Sequence, residues 1–285
     1  MLCLPMHSMS QTVTFGVVAD VQYCDCDNAP RYNRYYAETP DRLREARDTF
    51  NAHELDFVIN LGDLIDRHWD SFDHVLPIFD SIVAPAYHVL GNHDFSVVDE
   101  KKNHVVSRLG IPGRYYDFAI SGWRFIVLDA NDLSLKAHPT NSPEYIISDS
   151  LFQLITAQGL VQAHDWNGGV GEKQLQWLTK QLEEATRQQQ HVLIFSHMPV
   201  APEHANNLWN NTQVMDLLER FDCVKAFFAG HNHDGGYVEK GGIHHVTFNG
   251  MLDTPDRNAY AIVELSEGQI TIGGFGRQPG YVLDL

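Results

Sequence analysis

The stretch Phe57–Asp66, FVINLGDLID, joins an apolar run to a glycine and two carboxylates. The run has the composition of a buried β-strand, and Gly62 permits a tight turn where the strand ends. Open α/β sheets build their sites at the carboxyl ends of strands. Three further polar clusters also follow apolar runs, namely Asp20-Val21-Gln22, Gly91-Asn92-His93-Asp94 and Gly230-His231-Asn232-His233. We expect these three and the Gly62–Asp66 cluster to meet at one sheet edge.

The apolar runs continue along the chain and predict an α/β fold. Strands alternate with helices early and follow one another closely late, which favours mixed layers with a largely antiparallel C-terminal part. Helical spacing predicts three helices, one from an N-cap at Thr39 with Pro40 at the first helical position to about His53, the others at Glu172 to about Gln188 and Asn211 to Phe221. Nine runs predict strands: Thr14–Ala19, Phe57–Leu61, Ala86–Leu90, Arg124–Asp129, His191–Ser196, Val224–Ala229, Ile243–Phe248, Ala259–Leu265 and Gln269–Gly273.

The length of 285 residues permits one large domain or two small ones. The sequence contains no evident linker, internal repeat or low-complexity segment. We therefore predict a single domain over residues 12–285, preceded by an N-terminal extension at residues 1–11. Residues 131–167 are irregular, and a segment of this length inside a domain is typically an insertion or a lid.

The charge of the chain excludes some classes of partner. With 37 acidic residues against 20 Lys and Arg, the formal charge is −17. This charge opposes binding to DNA or RNA, which depends on many contacts between basic side chains and phosphates. A small phosphorylated substrate is not excluded, because bound cations would reverse the local sign. No apolar run approaches the roughly 18 residues of a membrane span, so we expect neither nucleic-acid nor membrane partners.

The N-terminal sequence and the cysteines favour a cytoplasmic protein. The first nine residues contain no basic region and too short an apolar stretch for a signal peptide. The four cysteines are too few and too scattered for a disulfide framework. Cys24 and Cys26 form one C-x-C pair without a second, which does not predict a structural zinc site. We therefore predict free thiols.

The polar clusters contain the donors that bind divalent cations. A ligand that bridges two ions must offer two oxygens, and Asp63 is the candidate because it directly follows a buried run and a glycine. Asn92 offers a neutral carbonyl oxygen, and His197 stands at the exit of another buried run. In isolation each motif could be a turn or a helix cap. In combination they favour a site for two divalent ions, with His231 and His233 serving one ion each.

Two further segments could contact a substrate. Arg31–Tyr36 could supply cations and stacking faces to a nucleotide, or its tyrosines could pack on the following helix. Asn167-Gly168-Gly169 could form a nest of backbone amides around a phosphate, or a plain turn before the next helix. The candidate substrate-binding residues are therefore Arg34, Tyr35, Asn167, Gly168 and Gly169.

The motifs D-x-(H/Q), GD-x-x-D, GNH(D/E), H and GH-x-H occur in this order between Thr14 and about Phe248. In this the chain resembles the calcineurin-like metallophosphoesterase superfamily. The resemblance implies an α/β fold of two facing mixed β-sheets flanked by helices, in four layers α/β/β/α. It implies that His93 acts on the leaving oxygen and is oriented by Asp66. It also implies two metal sites that share Asp63, one completed by Asp20, Gln22 and His233, the other by Asn92, His197 and His231.

The first motif ends in Gln22, where the superfamily usually has a histidine. An amide oxygen is a harder and weaker donor than imidazole, which favours Mn²⁺ or Mg²⁺ over Zn²⁺ at this position. We therefore expect Mn²⁺, with Mg²⁺, iron or Zn²⁺ as alternatives, and Gln22 could bind directly, through a water or not at all. In having a glutamine at this position, the chain is similar to the manganese-dependent ADP-ribose/CDP-alcohol diphosphatases. Further short matches to that group are Arg34-Tyr35-Tyr36, Asn167-Gly168-Gly169, Leu208-Trp209-Asn210 and residues 227–237.

Membership of that group would imply hydrolysis of the pyrophosphate of ADP-ribose, CDP-choline and related small nucleotides by a hydroxide that bridges two metal ions. Two alternatives keep the same fold. One is another metallophosphoesterase activity, such as a cyclic-nucleotide phosphodiesterase or a phosphoprotein phosphatase. The other is a non-catalytic scaffold, which we would expect to have lost metal ligands, whereas only Gln22 departs from the usual residues here. The sequence does not indicate an oligomeric state.

Overall fold

The computed structural model describes residues 12–285, and the predicted N-terminal extension lies outside them. The strands of the described chain are β1 (Val13–Val18), β2 (Phe57–Asn60), β3 (Ala86–His88), β4 (Tyr116–Ile120), β5 (Trp123–Val127), β6 (Leu133–Ser134), β7 (Gly168–Gly169), β8 (His191–Phe195), β9 (Val224–Ala229), β10 (Gly236–Lys240), β11 (Ile243–Thr247), β12 (Ala259–Leu265), β13 (Gln269–Gly276) and β14 (Tyr281–Asp284). The α-helices are α1 (Thr39–Asn51), α2 (Ser71–Phe79), α3 (Asp99–Lys102), α4 (Val105–Arg108), α5 (Pro143–Ala157), α6 (Glu172–Arg187) and α7 (Asn211–Leu218).

Twelve of these strands form two six-stranded mixed sheets. The first has the order β14-β13-β12-β1-β2-β3, in which β1, β2 and β3 are parallel and β12, β13 and β14 extend the sheet antiparallel. The second has the order β10-β11-β9-β8-β5-β4, with four parallel central strands and antiparallel edges. The predicted fold class of two facing mixed sheets flanked by helices is confirmed.

The core lies between the sheets and is rich in phenylalanine. The rings of Phe15 and Phe57, from the first sheet, stack with centroids 4.5 Å apart, and Phe195 of the second sheet meets Phe15 edge-on at 5.8 Å. Alternate residues of the same strands, such as Val58, point away from this layer and pack under the helices. Because both faces of the central strands are buried, their sequences read as continuous apolar runs rather than as alternating ones.

All nine predicted strands are present, and the ends of some differ from the prediction by one to three residues. Three strands of the large sheets were missed, β4, β10 and β14, and each lies at a sheet edge. Edge strands carry weaker apolar patterns because one side or both faces stay in contact with solvent, and every residue of β10 is at least partly exposed.

The three predicted helices are present as α1, α6 and α7. The prediction that Thr39 is the N-cap of the first helix was wrong, because Glu38 occupies that position and α1 begins at Thr39. The Thr39 hydroxyl instead donates to the Tyr36 carbonyl at 3.0 Å. Helix α2, which contains Pro77, and the short α3 and α4 were missed.

The irregular segment at residues 131–167 contains a helix of its own. Ser142 caps α5 by accepting a hydrogen bond from the Tyr145 amide, and Pro143 occupies its first turn. Strands β6 and β7 pair at the two ends of the segment. This pairing brings the two ends of the segment together and places Asn167 next to the polar clusters.

The prediction of free thiols was wrong for two of the cysteines. Cys24 and Cys26 are joined by a disulfide, with their Cα atoms 5.3 Å apart, because the loop after β1 folds back within two residues. Among the described residues, Cys223 is the free cysteine. Within residues 12–285, no helix combines the length and the apolar character needed to cross a bilayer.

Candidate metal centre

The loops that follow β1, β2, β3, β8 and β9 bring the polar clusters to one edge of the molecule, as predicted. Backbone hydrogen bonds join these loops directly. The Gln22 amide donates to the Asp63 carbonyl at 2.8 Å, and the Gly230 amide donates to the His197 carbonyl at 2.9 Å. The loops from both sheets therefore form one connected frame for the side chains.

Four of the predicted ligand residues have left-handed backbone conformations, with φ values of 53° at Asp20, 45° at Gln22, 55° at Asp63 and 66° at His231. This region is unfavourable for residues with a side chain and costs roughly 1–3 kcal/mol each. Such strain persists only where the surrounding structure enforces it. Its concentration at these four residues supports a functional role for the loops that carry them.

One set of donors converges on His197. Its Nε2 lies 3.2 Å from Asp63 Oδ2, from Asn92 Oδ1 and from His231 Nδ1. The other ring nitrogen of His197, Nδ1, donates to the Leu61 carbonyl at 2.8 Å, so Nε2 is the nitrogen that can bind a cation once its proton is displaced. Four electron-pair donors thus face one another at short range, an arrangement that a divalent cation between them would stabilise.

The second set contains Asp20 and His233. Asp20 Oδ1 is buried, has no hydrogen-bond partner among the described residues, and lies 3.3 Å from His233 Nε2. His233 Nδ1 lies 2.8 Å from Arg34 Nη1 and 3.1 Å from Asp253 Oδ1, and these two contacts hold the ring with Nε2 towards Asp20. A buried carboxylate oxygen without a hydrogen-bond partner is costly without a cation. The residues present therefore fit two divalent ions.

Gln22 lies between the two sets. Its Nε2 is 2.9 Å from Asp63 Oδ2 and 3.2 Å from His233 Nε2. The amide thus presents its nitrogen to the centre. Rotation of the amide by 180° would place the oxygen there instead, so direct ligation by Gln22 stays a prediction.

Glycines next to the ligands allow the loops to approach one another. A Cβ atom on Gly91 would overlap the backbone nitrogen and Oδ1 of Asp63, and one on Gly230 would lie 2.8 Å from Asp20 Oδ2. The glycine at the start of these motifs is therefore required by the space that the carboxylates occupy.

The ionisation of the centre matches a cation site. Burial by itself would raise the pKa of Asp63, but His197 and His93 hold it well below its usual range. Burial and the neighbouring His197 lower the pKa of His231 well below its usual value. Asp63 is therefore negatively charged and His231 neutral at pH 7, the forms in which both bind metals. Burial acts to lower the pKa of His197, but Asp63 raises it to about 9, so a cation that binds here displaces the proton of His197.

Asp94 supports the centre, a role that the sequence analysis did not assign to it. Its carboxylate accepts hydrogen bonds from the backbone amides of Leu64 at 2.8 Å, Gly91 at 2.9 Å and Asp63 at 3.1 Å. Burial and the charge of Asp63 raise the pKa of Asp94 to about 7. Its position in the Gly91–Asp94 cluster was the signal that could have identified it.

His93 lies beside the ligands, with Nδ1 3.1 Å from both Asp66 Oδ1 and the Asp66 carbonyl. Burial acts to lower the pKa of His93, but Asp63 and Asp66 outweigh it and raise the pKa to about 9. Asp66 in turn accepts from Arg67 Nε at 2.5 Å. His93 is thus held protonated at neutral pH, the form that a general acid requires.

The ligands open onto a cavity of about 660 Å³. Its rim contains aromatic, cationic and amide side chains that the ligand motifs do not include, namely Tyr32, Arg34, Tyr36, Arg67, Trp166 and Asn206. Trp166 stacks on His164, with ring centroids 4.1 Å apart. Trp166 precedes the Asn167-Gly168-Gly169 motif, but nothing in the sequence pattern distinguished it from a core tryptophan.

Of the candidate substrate-binding residues, the structure places Arg34 on the cavity wall, where it donates to Asp253 Oδ1 at 2.6 Å. Tyr35, Gly168 and Gly169 are not among the residues that line the cavity. The Gly168 amide donates to Met198 Sδ at 3.0 Å and both glycines form β7, so their backbone groups do not form a free nest.

Asn167, the remaining candidate, is buried behind the centre. Its Oδ1 lies 2.8 Å from His231 Nε2, and its Nδ2 donates to the carbonyls of Gln162 and Ala205. The structure therefore places Asn167 against His231, one of the predicted metal ligands, rather than on the cavity wall.

Two facing mixed sheets with convergent carboxylate, amide and imidazole donors at their carboxyl edge define a metallophosphoesterase. The sequence pattern of calcineurin-like phosphoesterases matches residues 13–235. The chain belongs to the calcineurin-like phosphoesterase family, which confirms the resemblance inferred from its motifs.

The chain is also similar over nearly its whole length to individual proteins. The manganese-dependent ADP-ribose/CDP-alcohol diphosphatase of Arabidopsis thaliana is 32% identical, covering 93% of this chain and 94% of that protein. The corresponding protein of Oryza sativa subsp. japonica is 34% identical, with coverages of 92% and 90%. The crystal structure of a dimetal phosphatase from Danio rerio is 32% identical and superposes with a TM-score of 0.87, covering 95% of this chain and 98% of that one.

Proposed function

We propose that this chain is a manganese-dependent diphosphatase that hydrolyses the pyrophosphate of ADP-ribose, CDP-choline and related nucleoside diphosphate-linked compounds. The names of the similar proteins support this substrate class. The observation that carries the proposal is that one cavity contains both the ligand cluster and the side chains suited to a nucleotide. The expected cytoplasmic location and the absence of nucleic-acid partners stay predictions.

The rim of the cavity offers the contacts that a nucleotide needs. Tyr32 and Trp166 are 68% and 40% exposed, so each ring has exposed surface on which a base could stack, although His164 stacks on Trp166. Arg34 and Arg67, which pair with Asp253 and Asp66, also line the cavity and supply positive charge. A volume of about 660 Å³ lies within the range of sites that enclose small molecules.

Two divalent ions held here would make water nucleophilic near neutral pH and neutralise charge on the diphosphate. Asp20, Gln22, Asp63 and His233 would hold one ion, and Asp63, Asn92, His197 and His231 the other. In the reaction, the oxygen of water forms a bond to one phosphorus and the P–O bond to the bridging oxygen breaks. His93 would donate its proton to, or hydrogen-bond with, the departing oxygen, with Asp66 holding the imidazolium.

A substrate panel tests the proposal. The purified protein would be stripped with a chelator, reloaded with Mn²⁺ and assayed on ADP-ribose, CDP-choline, cAMP and p-nitrophenyl phosphate. We expect cleavage of the first two, with AMP and ribose 5-phosphate formed from ADP-ribose. Preferential turnover of cAMP or p-nitrophenyl phosphate would favour another phosphoesterase activity. Metal binding without turnover of any substrate would favour the scaffold alternative.

A variant pair tests the metal assignment in the same assay. Asp63→Ala removes the carboxylate shared by both sets, so we expect loss of bound Mn²⁺ and of turnover. Asp222→Ala, at an exposed position before β9 and so at the opposite end of that strand from His231, should retain both. Full metal content and activity in Asp63→Ala would contradict the assignment.

A further inference from the structure

A second group of potential ligands lies beside the metal centre. The sulfur atoms of Cys24 and Cys26 and a carboxylate oxygen of Asp66 all lie within 4.8 Å of one another. Cys24 and Asp66 are buried, with 1% and 3% exposure, and Cys26 is partly exposed. None of the three belongs to either set of ligands in the dinuclear centre.

Backbone hydrogen bonds hold this group together. The Tyr23 amide donates to the Leu64 carbonyl at 3.3 Å, and the Asp66 amide donates to the Tyr23 carbonyl at 2.9 Å. Both bonds are made by Tyr23, directly before the cysteine pair, and they join the loop after β1 to the loop after β2. The approach of the two sulfurs to Asp66 is therefore a property of the folded frame and not of one mobile side chain.

We propose that Cys24, Cys26 and Asp66 form a redox-gated site for a soft divalent ion such as Zn²⁺, distinct from the dinuclear centre. Two thiolates and one carboxylate provide three ligands, and a water would complete the tetrahedral set that Zn²⁺ prefers. Thiolates select Zn²⁺ over Mn²⁺, whereas the oxygen and nitrogen donors of the dinuclear centre suit Mn²⁺. The two sites thus differ in donor chemistry.

The disulfide gates the site. A dithiol reductant opens it by thiolate attack on the more exposed sulfur, Cys26, and the two electrons of the reductant leave it as a disulfide while both cysteines become thiols. Binding of the ion then releases two protons, one from each thiol. The oxidised protein therefore cannot bind the ion, because both sulfurs are held in the disulfide.

The site is coupled to His93 through Asp66. The Asp66 carboxylate interacts with His93 Nδ1 at 3.1 Å and with Arg67 Nε at 2.5 Å. An ion that takes one oxygen of this carboxylate competes with these partners. An ion bound at the cysteine site therefore weakens the interaction between the Asp66 carboxylate and His93 Nδ1.

Cobalt substitution provides a direct test, because a thiolate bound to Co²⁺ gives a charge-transfer absorption in the near ultraviolet that oxygen and nitrogen ligands do not give. Full-length protein, stripped of metal and reduced with dithiothreitol, would be titrated with Co²⁺ after removal of the reductant. We expect the absorption in the reduced protein, its loss on addition of Zn²⁺, and none in the oxidised protein.

Matched variants assign the absorption to these residues. Cys24→Ser/Cys26→Ser should abolish it, whereas Cys3→Ser/Cys223→Ser, which leaves this pair as the remaining cysteines, should retain it. Asp66→Ala should weaken Co²⁺ binding at this site by about tenfold or more. Absence of the absorption in reduced wild-type protein, or its persistence in Cys24→Ser/Cys26→Ser, would overturn the proposal. Unchanged Co²⁺ affinity in Asp66→Ala would remove Asp66 from the site.

Discussion

Asn167 Oδ1 accepts a hydrogen bond from His231 Nε2 at 2.8 Å. The two residues are 64 positions apart, and Asn167 is the last residue of the segment that contains α5. The bond assigns the proton of His231 to Nε2 and leaves the Nδ1 lone pair facing His197. The segment at residues 131–167 therefore both contributes Trp166 to the cavity rim and orients a ligand of the centre.

Replacement of Asn167 should weaken metal binding without removing a ligand. In Asn167→Ala, His231 loses the acceptor that selects its tautomer, and we expect Mn²⁺ affinity to fall about 10–100-fold. Isothermal titration of the metal-free protein measures this directly. Asn167→Asp keeps an acceptor oxygen for His231 but turns its second oxygen towards the carbonyls of Gln162 and Ala205, so we expect it to recover the affinity in part. Equal losses in both variants would indicate a role in folding only.

Gly91→Ala should destroy the centre through steric overlap. The added Cβ would collide with the backbone nitrogen and Oδ1 of Asp63, and neither is the flexible end of a long side chain. We expect loss of bound Mn²⁺ and destabilisation of about 1–3 kcal/mol from overpacking. Gly268→Ala is the matched control, since a Cβ there meets no atom within 4 Å. Measurements of bound Mn²⁺ and of thermal unfolding compare the two variants. Normal metal content in Gly91→Ala would contradict the predicted steric overlap with Asp63.

Removal of the proton donor should reduce turnover while metal content is retained. For His93→Ala we expect turnover to fall roughly 10²–10⁴-fold. Asp66→Asn should act more mildly, because the neutral amide no longer stabilises the imidazolium and the pKa of His93 falls below about 9. The alkaline limb of the pH–rate profile should therefore move to lower pH in Asp66→Asn. A profile that does not move would show that His93 is not the group that titrates.

Asp94→Ala should destabilise the fold and not only the site. The substitution leaves the buried backbone amides of Asp63, Leu64 and Gly91 without their acceptor. Three unpaired buried groups at about 1–3 kcal/mol each predict a loss of roughly 3–9 kcal/mol, which urea unfolding measures. Asp222→Ala, at an exposed position, should change stability by less than about 0.5 kcal/mol.

His245 should contribute to acid sensitivity. Burial lowers its pKa from 6.5 to about 4, so between these pH values the unfolded chain binds a proton that the folded chain does not. Stability therefore falls as the pH falls through this window, by about 2 kcal/mol between pH 8 and pH 5 from this residue. Urea unfolding of wild-type protein and His245→Leu at both pH values measures the difference. An identical pH dependence in the two proteins would contradict the assignment.

Local sequence was sufficient to predict the central strands and the polar side chains that the structure brings together at their carboxyl ends. The buried runs before Asp63 and His197 are continuous because both faces of these strands are covered, and the glycines mark close approaches of backbone. Edge strands such as β10 were missed because their exposed faces remove the apolar pattern.

The sequence alone determined which residues end the central strands, because burial on both faces and the need for glycine at a close approach are properties of short segments. The tertiary structure decided which distant groups support those residues. These supporting contacts depend on packing between loops from different parts of the chain. They are Asn167 with His231, Asp253 with His233, Asp94 with three backbone amides, and the cysteine pair with Asp66. No local pattern specifies such partners, because a hydrogen bond needs only one donor and one acceptor, and packing determines which of many candidates meet.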